Sequence, residues 1–104
     1  MGQGKVPEEV QISACTVIIY SGKYDRIDLN AAYYHRGVSY AQLSQWNPAI
    51  ADFSEAIRLD PTDAAAYWLR HLCKKEIGDL TGADADARAA KRLEPNIEQQ
   101  MKEQ

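Results

Sequence analysis

The chain has 104 residues, 45% of them hydrophobic and 26% charged, with a formal net charge of −3 and a mean hydropathy of −0.49. That is one small domain, large enough for a single continuous core and too small for a catalytic cleft between lobes. Twelve Lys and Arg stand interspersed among fifteen Asp and Glu, so there is no broad basic field for nucleic acid, and no apolar run approaches the roughly 20 residues of a membrane span.

The start MGQGKVPEEV has no apolar stretch of the secretory kind, which favours the cytoplasm and leaves the periplasm open for a processed chain. Met1-Gly2 begins like a myristoylation signal, but Val6 stands where that signal needs Ser or Thr. Residues 1–7 are expected to be a flexible N-terminus. Pro7-Glu8-Glu9 then opens a helix over 8–20, and Gly22-Lys23-Tyr24-Asp25 reads as a turn-like loop. Four helices are expected next, near 29–43, 48–59, 64–77 and 82–93. Their N-caps are expected at Asp28, at Asn47 (with Pro48 in the first turn), at Asp63 and at Thr81. Asp60-Pro61 and Glu94-Pro95 stop the second and fourth of these, because proline disfavours helical geometry in the residue before it. The tail from Asn96 can add a short helix with Ile97 and Met101 on one side.

Laid against itself, the chain repeats. A shift of 34 residues carries Pro61 onto Pro95, Tyr33 onto Tyr67, Arg36 onto Arg70, Ala49 onto Ala83, Asp52 onto Asp86, Ala56 onto Ala90 and Leu59 onto Leu93. Each unit holds two stretches of helical period, so 30–63 and 64–97 each read as a helix hairpin. A shift of 38 sets Ile12 on Ile50, Cys15 on Phe53, Thr16 on Ser54 and Ile19 on Ile57. Residues 8–21 are therefore a half repeat, a second helix without its first. The expected domain is 8–97, followed by a tail over 98–104.

Tyr33, Gly37, Tyr40, Ala49, Phe53, Ala56 and Pro61 stand at the spacing of the tetratricopeptide repeat, which the sequence strongly resembles. The second unit keeps Tyr67, Ala83, Ala90 and Pro95 but places His71 at the small position and Lys74 at the second aromatic one. The segment ACTVIIYSGK with the later HRG triplet resembles the bacterial stand-alone members of that family. The resemblance implies an all-α fold, a right-handed superhelical stack of antiparallel helix hairpins with two full repeats and an N-terminal half repeat.

Antiparallel packing brings Gly37 against the Ala49–Phe53 stretch, pairs Arg36 with Asp52 and Arg70 with Asp86, and makes Tyr33, Tyr40, Trp46, Phe53 and Tyr67 core aromatics. His71 is expected to be accommodated by the small Ala83 and Ala87, with a pH-sensitive role as the alternative. Stacking between units falls to Ile12, Ile19, Ile50 and Ile57, and the charged Asp84 and Lys91 at the matching positions of the last helix predict that the array ends there.

The family binds its ligands on the concave face lined by first helices. Carried over residue by residue, the resemblance gives Tyr34, His35, Val38, Ala41 and Gln42, then Trp68, Leu69, Leu72, Lys75 and Glu76, all on the helix side opposite Tyr33, Gly37 and Tyr40. Tyr34, Val38, Trp68 and Leu72 form an apolar stripe that wants a cover. The expected function is a protein-protein interaction module binding a peptide or amphipathic helix, with Lys75 and Glu76 orienting it at the rim. The alternative is a structural homo-oligomer, in which the groove or the lone helix is self-covered at Gln11, Cys15 and Ile18. Some family members hold a C-terminal carboxylate with a Lys and Asn clamp; the corresponding positions here carry Tyr34, Val38 and Leu69, so that activity is not carried over. No catalytic, cofactor or metal site is expected. Cys15 and Cys73 form no Cys-x-x-Cys pair and read as small buried hydrophobes, the rival being an activated thiol.

Overall fold

The computed structural model describes residues 6–103; the expectations for residues 1–5 and 104 lie outside them. The described residues form an all-α chain: α1 (Glu8–Tyr20), α2 (Arg26–Gln42), α3 (Trp46–Leu59), α4 (Ala64–Glu76), α5 (Leu80–Leu93) and the short α6 (Ile97–Lys102). Consecutive helices pack on one another, α2 with α3 and α4 with α5 as hairpins, α1 on α2 and α3 on α4 between them. Among the described residues no helix is long and apolar enough to cross a membrane.

Local chemistry explains the helix ends and corrects three of the four expected caps. Asp63 caps α4 as expected, accepting from the Ala66 amide at 3.0 Å. Asp25, not Asp28, caps α2, with the Asp28 amide as its donor. The extra first turn is held because the Arg26 guanidinium reaches the terminal carbonyl of α3 at Leu59, 2.8 Å away. Asn47 and Thr81 lie inside α3 and α5, which begin earlier at Trp46 and Leu80. Both hairpin turns pass through a left-handed residue, Ser44 at φ 58° and its repeat mate Gly78 at φ 84°. That reversal restarts each second helix sooner than the cap residues suggest. Asp79 caps α5 through the Gly82 amide, and Gln45 precedes α3 with no side-chain cap.

The core lies between the hairpins: Ala49, Phe53, Ala56, Ala66 and Cys73 are buried, with Ile50, Ile57 and Trp46 packed against them. The crossing of α2 on α3 depends on Gly37. A Cβ there meets Phe53 Cε1 at 2.8 Å, and Phe53 is fully buried with no room to retreat. In the second hairpin the volumes are exchanged. His71 replaces the glycine, Ala87 replaces the phenylalanine, and the imidazole Nδ1–H donates to the Ala83 carbonyl at 2.9 Å. A large residue opposite a small one is kept in both units, with the sides reversed.

Two buried ion pairs cross the hairpins. The Arg36 guanidinium makes a two-pronged contact with Asp52, both bonds at 2.8 Å, and Arg70 does the same with Asp86 at 2.7 Å. Each arginine then reaches back to the preceding hairpin's second helix: Arg36 to the Thr16 hydroxyl at 3.0 Å and Arg70 to the Ser54 hydroxyl at 2.9 Å. The identical bonds place Thr16 and Ser54 at equivalent positions, which is the 38-residue register read from the sequence.

Gly37→Ala is expected to destabilise the fold by about 1–3 kcal/mol through overpacking. Thermal unfolding followed by circular dichroism checks this; an unchanged midpoint would mean that Phe53 does not fix the crossing.

Candidate functional site

Between α2 and α4, above the start of α3, the surface opens into a cavity of ≈ 400 Å³, within the range of small-ligand and side-chain pockets. Seven of the ten expected groove residues meet there: Val38, Ala41 and Gln42 from α2, and Leu69, Leu72, Lys75 and Glu76 from α4. They converge because each recurs at a helical step of three or four along its own helix, and the hairpin stack sets the two rows side by side. Leu72 remains 40% exposed on the wall. Gln42, Lys75 and Glu76 are exposed at the rim, so an apolar floor is bordered by an amide, an ammonium and a carboxylate.

Sequence reasoning missed part of the floor. Trp46, Phe53 and Cys73 also line the cavity, although all three read as core. Cys73 had a legible signal, since it follows Leu69 by four residues and precedes Glu76 by three on the same face of α4. Trp46 had none, because its placement follows from the left-handed turn at Ser44. Burial pushes the Cys73 thiol up to about 11, and Glu76 adds to the shift; burial likewise raises Cys15, against the opposing charge of Arg36. Neither environment favours a thiolate. Among the described residues no group of three or more His, Cys, Asp or Glu stands close enough to hold a metal ion.

Three expected groove residues sit elsewhere. Tyr34 is half-buried beside the floor, its ring edge-on to Phe53 at 5.9 Å, and burial raises its phenol. His35 is exposed and packs edge-on against Tyr34 at 5.4 Å. Trp68 is not part of an exposed stripe. It is buried, 8% exposed, in a second cluster with Ala90 and Ile97, against which Ala87 and Met101 pack. Helix α6 folds back over the indole, and the Lys91 ammonium lies over the same ring at 5.7 Å and within 3.7 Å of Glu98. The charged Asp84 and Lys91 are on the exposed side of α5, while Ile97, 3% exposed, packs on Trp68 and Ala90.

The Lys74 substitution also has a structural consequence. At the position where the first unit has Tyr40, the Lys74 ammonium joins Asp86 at 3.1 Å. Burial opposes ionisation of Asp86, but the bonds and charges of Arg70 and Lys74 outweigh it and hold this carboxyl below its ordinary range.

If α6 is what shields Trp68, Ile97→Asp in a Trp46→Phe background will shift the remaining indole emission to the red and raise its quenching by acrylamide. Unchanged emission would show that α6 is not the cover.

A family model described as tetratricopeptide repeat matches residues 31–63. The chain is also 34% identical, over 74 residues, to a serine/threonine-protein phosphatase T of Aspergillus oryzae (strain ATCC 42149 / RIB 40); the alignment covers 71% of this chain and 15% of that protein. That relative is fungal, so the narrower likeness to bacterial stand-alone members finds no support in it. Residues 31–63, the hairpin of α2 and α3, are a tetratricopeptide repeat within an all-α stack of helix hairpins.

Proposed function

We propose that the chain is a protein-protein interaction module that takes a peptide or an amphipathic helix of a partner into the groove between α2 and α4. The observation that carries this reading is the apolar-floored cavity of ≈ 400 Å³, walled by Val38, Leu69 and Leu72. It is large enough for one or two apolar side chains, and its polar groups stand only at the rim. Such a site gains affinity by burying anchors on the floor and gains orientation from Gln42, Lys75 and Glu76. The tetratricopeptide repeat at 31–63 supports the same reading, because the groove is built from its first helix and that of the following unit.

The proposal assigns no reaction to the chain. The phosphatase relative is a much longer protein of which this chain spans 15%, and burial shifts both thiols upward, away from an activated thiolate. Trp68 supports the end of the stack in this reading, so its substitution tests folding and leaves the groove untested.

Selection from a displayed peptide library is expected to enrich sequences with one or two large apolar anchors. Leu72→Asp, at a partly exposed position, is expected to weaken the enriched peptides by roughly tenfold or more, about 1.4 kcal/mol, with helicity unchanged. Binding of the enriched peptides that is indifferent to Leu72→Asp would reject the groove as the binding surface.

A further inference from the structure

From Ala14 to Tyr20 the first helix is apolar on every side but for Thr16, yet none of its residues is buried. Helices of that composition are normally covered all round. Its inner side, with Ile12, Cys15, Thr16 and Ile19, is half-buried, and the Arg36 bond to Thr16 fixes its register against α2 as the Arg70 bond to Ser54 fixes that of α3 against α4. Positions can therefore be compared directly by the 38-residue shift. Where α3 turns the exposed ion pair Glu55–Arg58 to solvent, α1 turns Val17 and Tyr20, which are 68% and 76% exposed. Val10, 54% exposed, stands one helical face-repeat earlier, and the exposed Ser13 and Ala14 lie between. None of these residues lines the groove. The expected uncovered side at Gln11, Cys15 and Ile18 is half-buried instead, so the open stripe lies further round the helix.

We propose that this stripe is a homodimer interface, in which α1 of a second copy packs antiparallel across a two-fold axis at Ser13 and Ala14. The stripe is complementary to itself in that orientation. Small residues at the axis let the helices approach, Val10 of each copy lies opposite Val17 of the other, and Tyr20 lies beside the other's Pro7. Val10, Ala14 and Val17 step by four and three, the spacing of a two-helix seam. The charges match as well. Glu9, exposed in the first turn at the edge of the stripe, comes toward the end of the other helix, where Lys23 leaves the chain reversal, and neither enters an ion pair with a described residue. Antiparallel helices also oppose their dipoles favourably. A two-fold arrangement uses one patch on both copies and closes at two. An interface made by two 13-residue helices is at the small end for specific association, so the expected dissociation constant is micromolar.

Sedimentation velocity on the full chain, from low micromolar to near-millimolar concentration, tests the proposal. The expected result is a monomer–dimer equilibrium that Val17→Asp weakens roughly tenfold or more and Leu72→Asp leaves alone. Lys23→Glu is expected to weaken it and the added change Glu9→Lys to restore it, with circular dichroism verifying the helices of every variant. A wild-type chain that stays monomeric throughout overturns the proposal. So does a dimer that survives Val17→Asp, a dimer lost with the groove variant, or a charge reversal that is not restored. Failure here leaves the groove reading untouched, since the two surfaces share no residue.

Discussion

The structure rests on an arginine that holds three helices at once. Arg36 grips Asp52 across the hairpin and the Thr16 hydroxyl of the preceding helix, and Arg70 repeats this with Asp86 and Ser54. Both pairs are largely removed from water, with side-chain exposures of 12% and 5% in the first and 18% and 6% in the second. Bringing two charges out of water cancels much of their attraction, so such a pair adds little net stability over a well-packed apolar one. Its force is in what it forbids. A slip of α2 against α3, or of α4 against α5, leaves a buried charge without its partner, which costs several kcal/mol. The two-pronged geometry also fixes the angle at which the helices meet.

Everything that shapes the groove follows from that lock. Given the register, Gly37 meets Phe53, and at the matching positions of the second hairpin His71 and Ala87 exchange the large and the small residue. The hydroxyls that receive the arginines are themselves satisfied by carbonyls four residues back, Thr16 on Ile12 and Ser54 on Ile50, each at 2.7 Å. At the other end of the first hairpin Asn30 ties the Ala56 carbonyl to the Asp63 carboxylate. The corresponding residue of the second unit is Ala64, and that end is stabilised by α6 packed on Trp68 instead. At the next position in the hydroxyl series stands Arg88, exposed and paired with Asp84, so the last helix offers no acceptor of this kind to a further arginine.

Much of this was legible in the sequence because it is carried by residues at a fixed repeat. Antiparallel hairpin packing paired Arg36 with Asp52, the 34-residue shift repeated the pair at Arg70 and Asp86, and both pairs are present. The first-helix positions carried over from the family resemblance also brought seven groove residues to one cavity. What escaped depends on neighbours that periodicity does not see. Trp68 faces the side of α4 that α6 folds over, and a helix of six residues gives too weak a pattern to announce its docking. The caps shifted because Arg26 and the left-handed Ser44 and Gly78 extend helices toward their N-termini. Lys74 looked like a lost aromatic, and only the position of Asp86 shows that it is a second cation on a buried carboxylate.

The most direct test of the arginine lock is a double-mutant cycle at the first pair, using denaturant unfolding of Arg36→Met, Asp52→Leu and the double variant. If the pair fixes register by the penalty on an orphaned charge, each single change will remove about 3–5 kcal/mol, and the double variant will regain most of that. Single losses that simply add in the double variant would contradict the account, because they would mean that the two charges act independently and that packing alone sets how the helices meet.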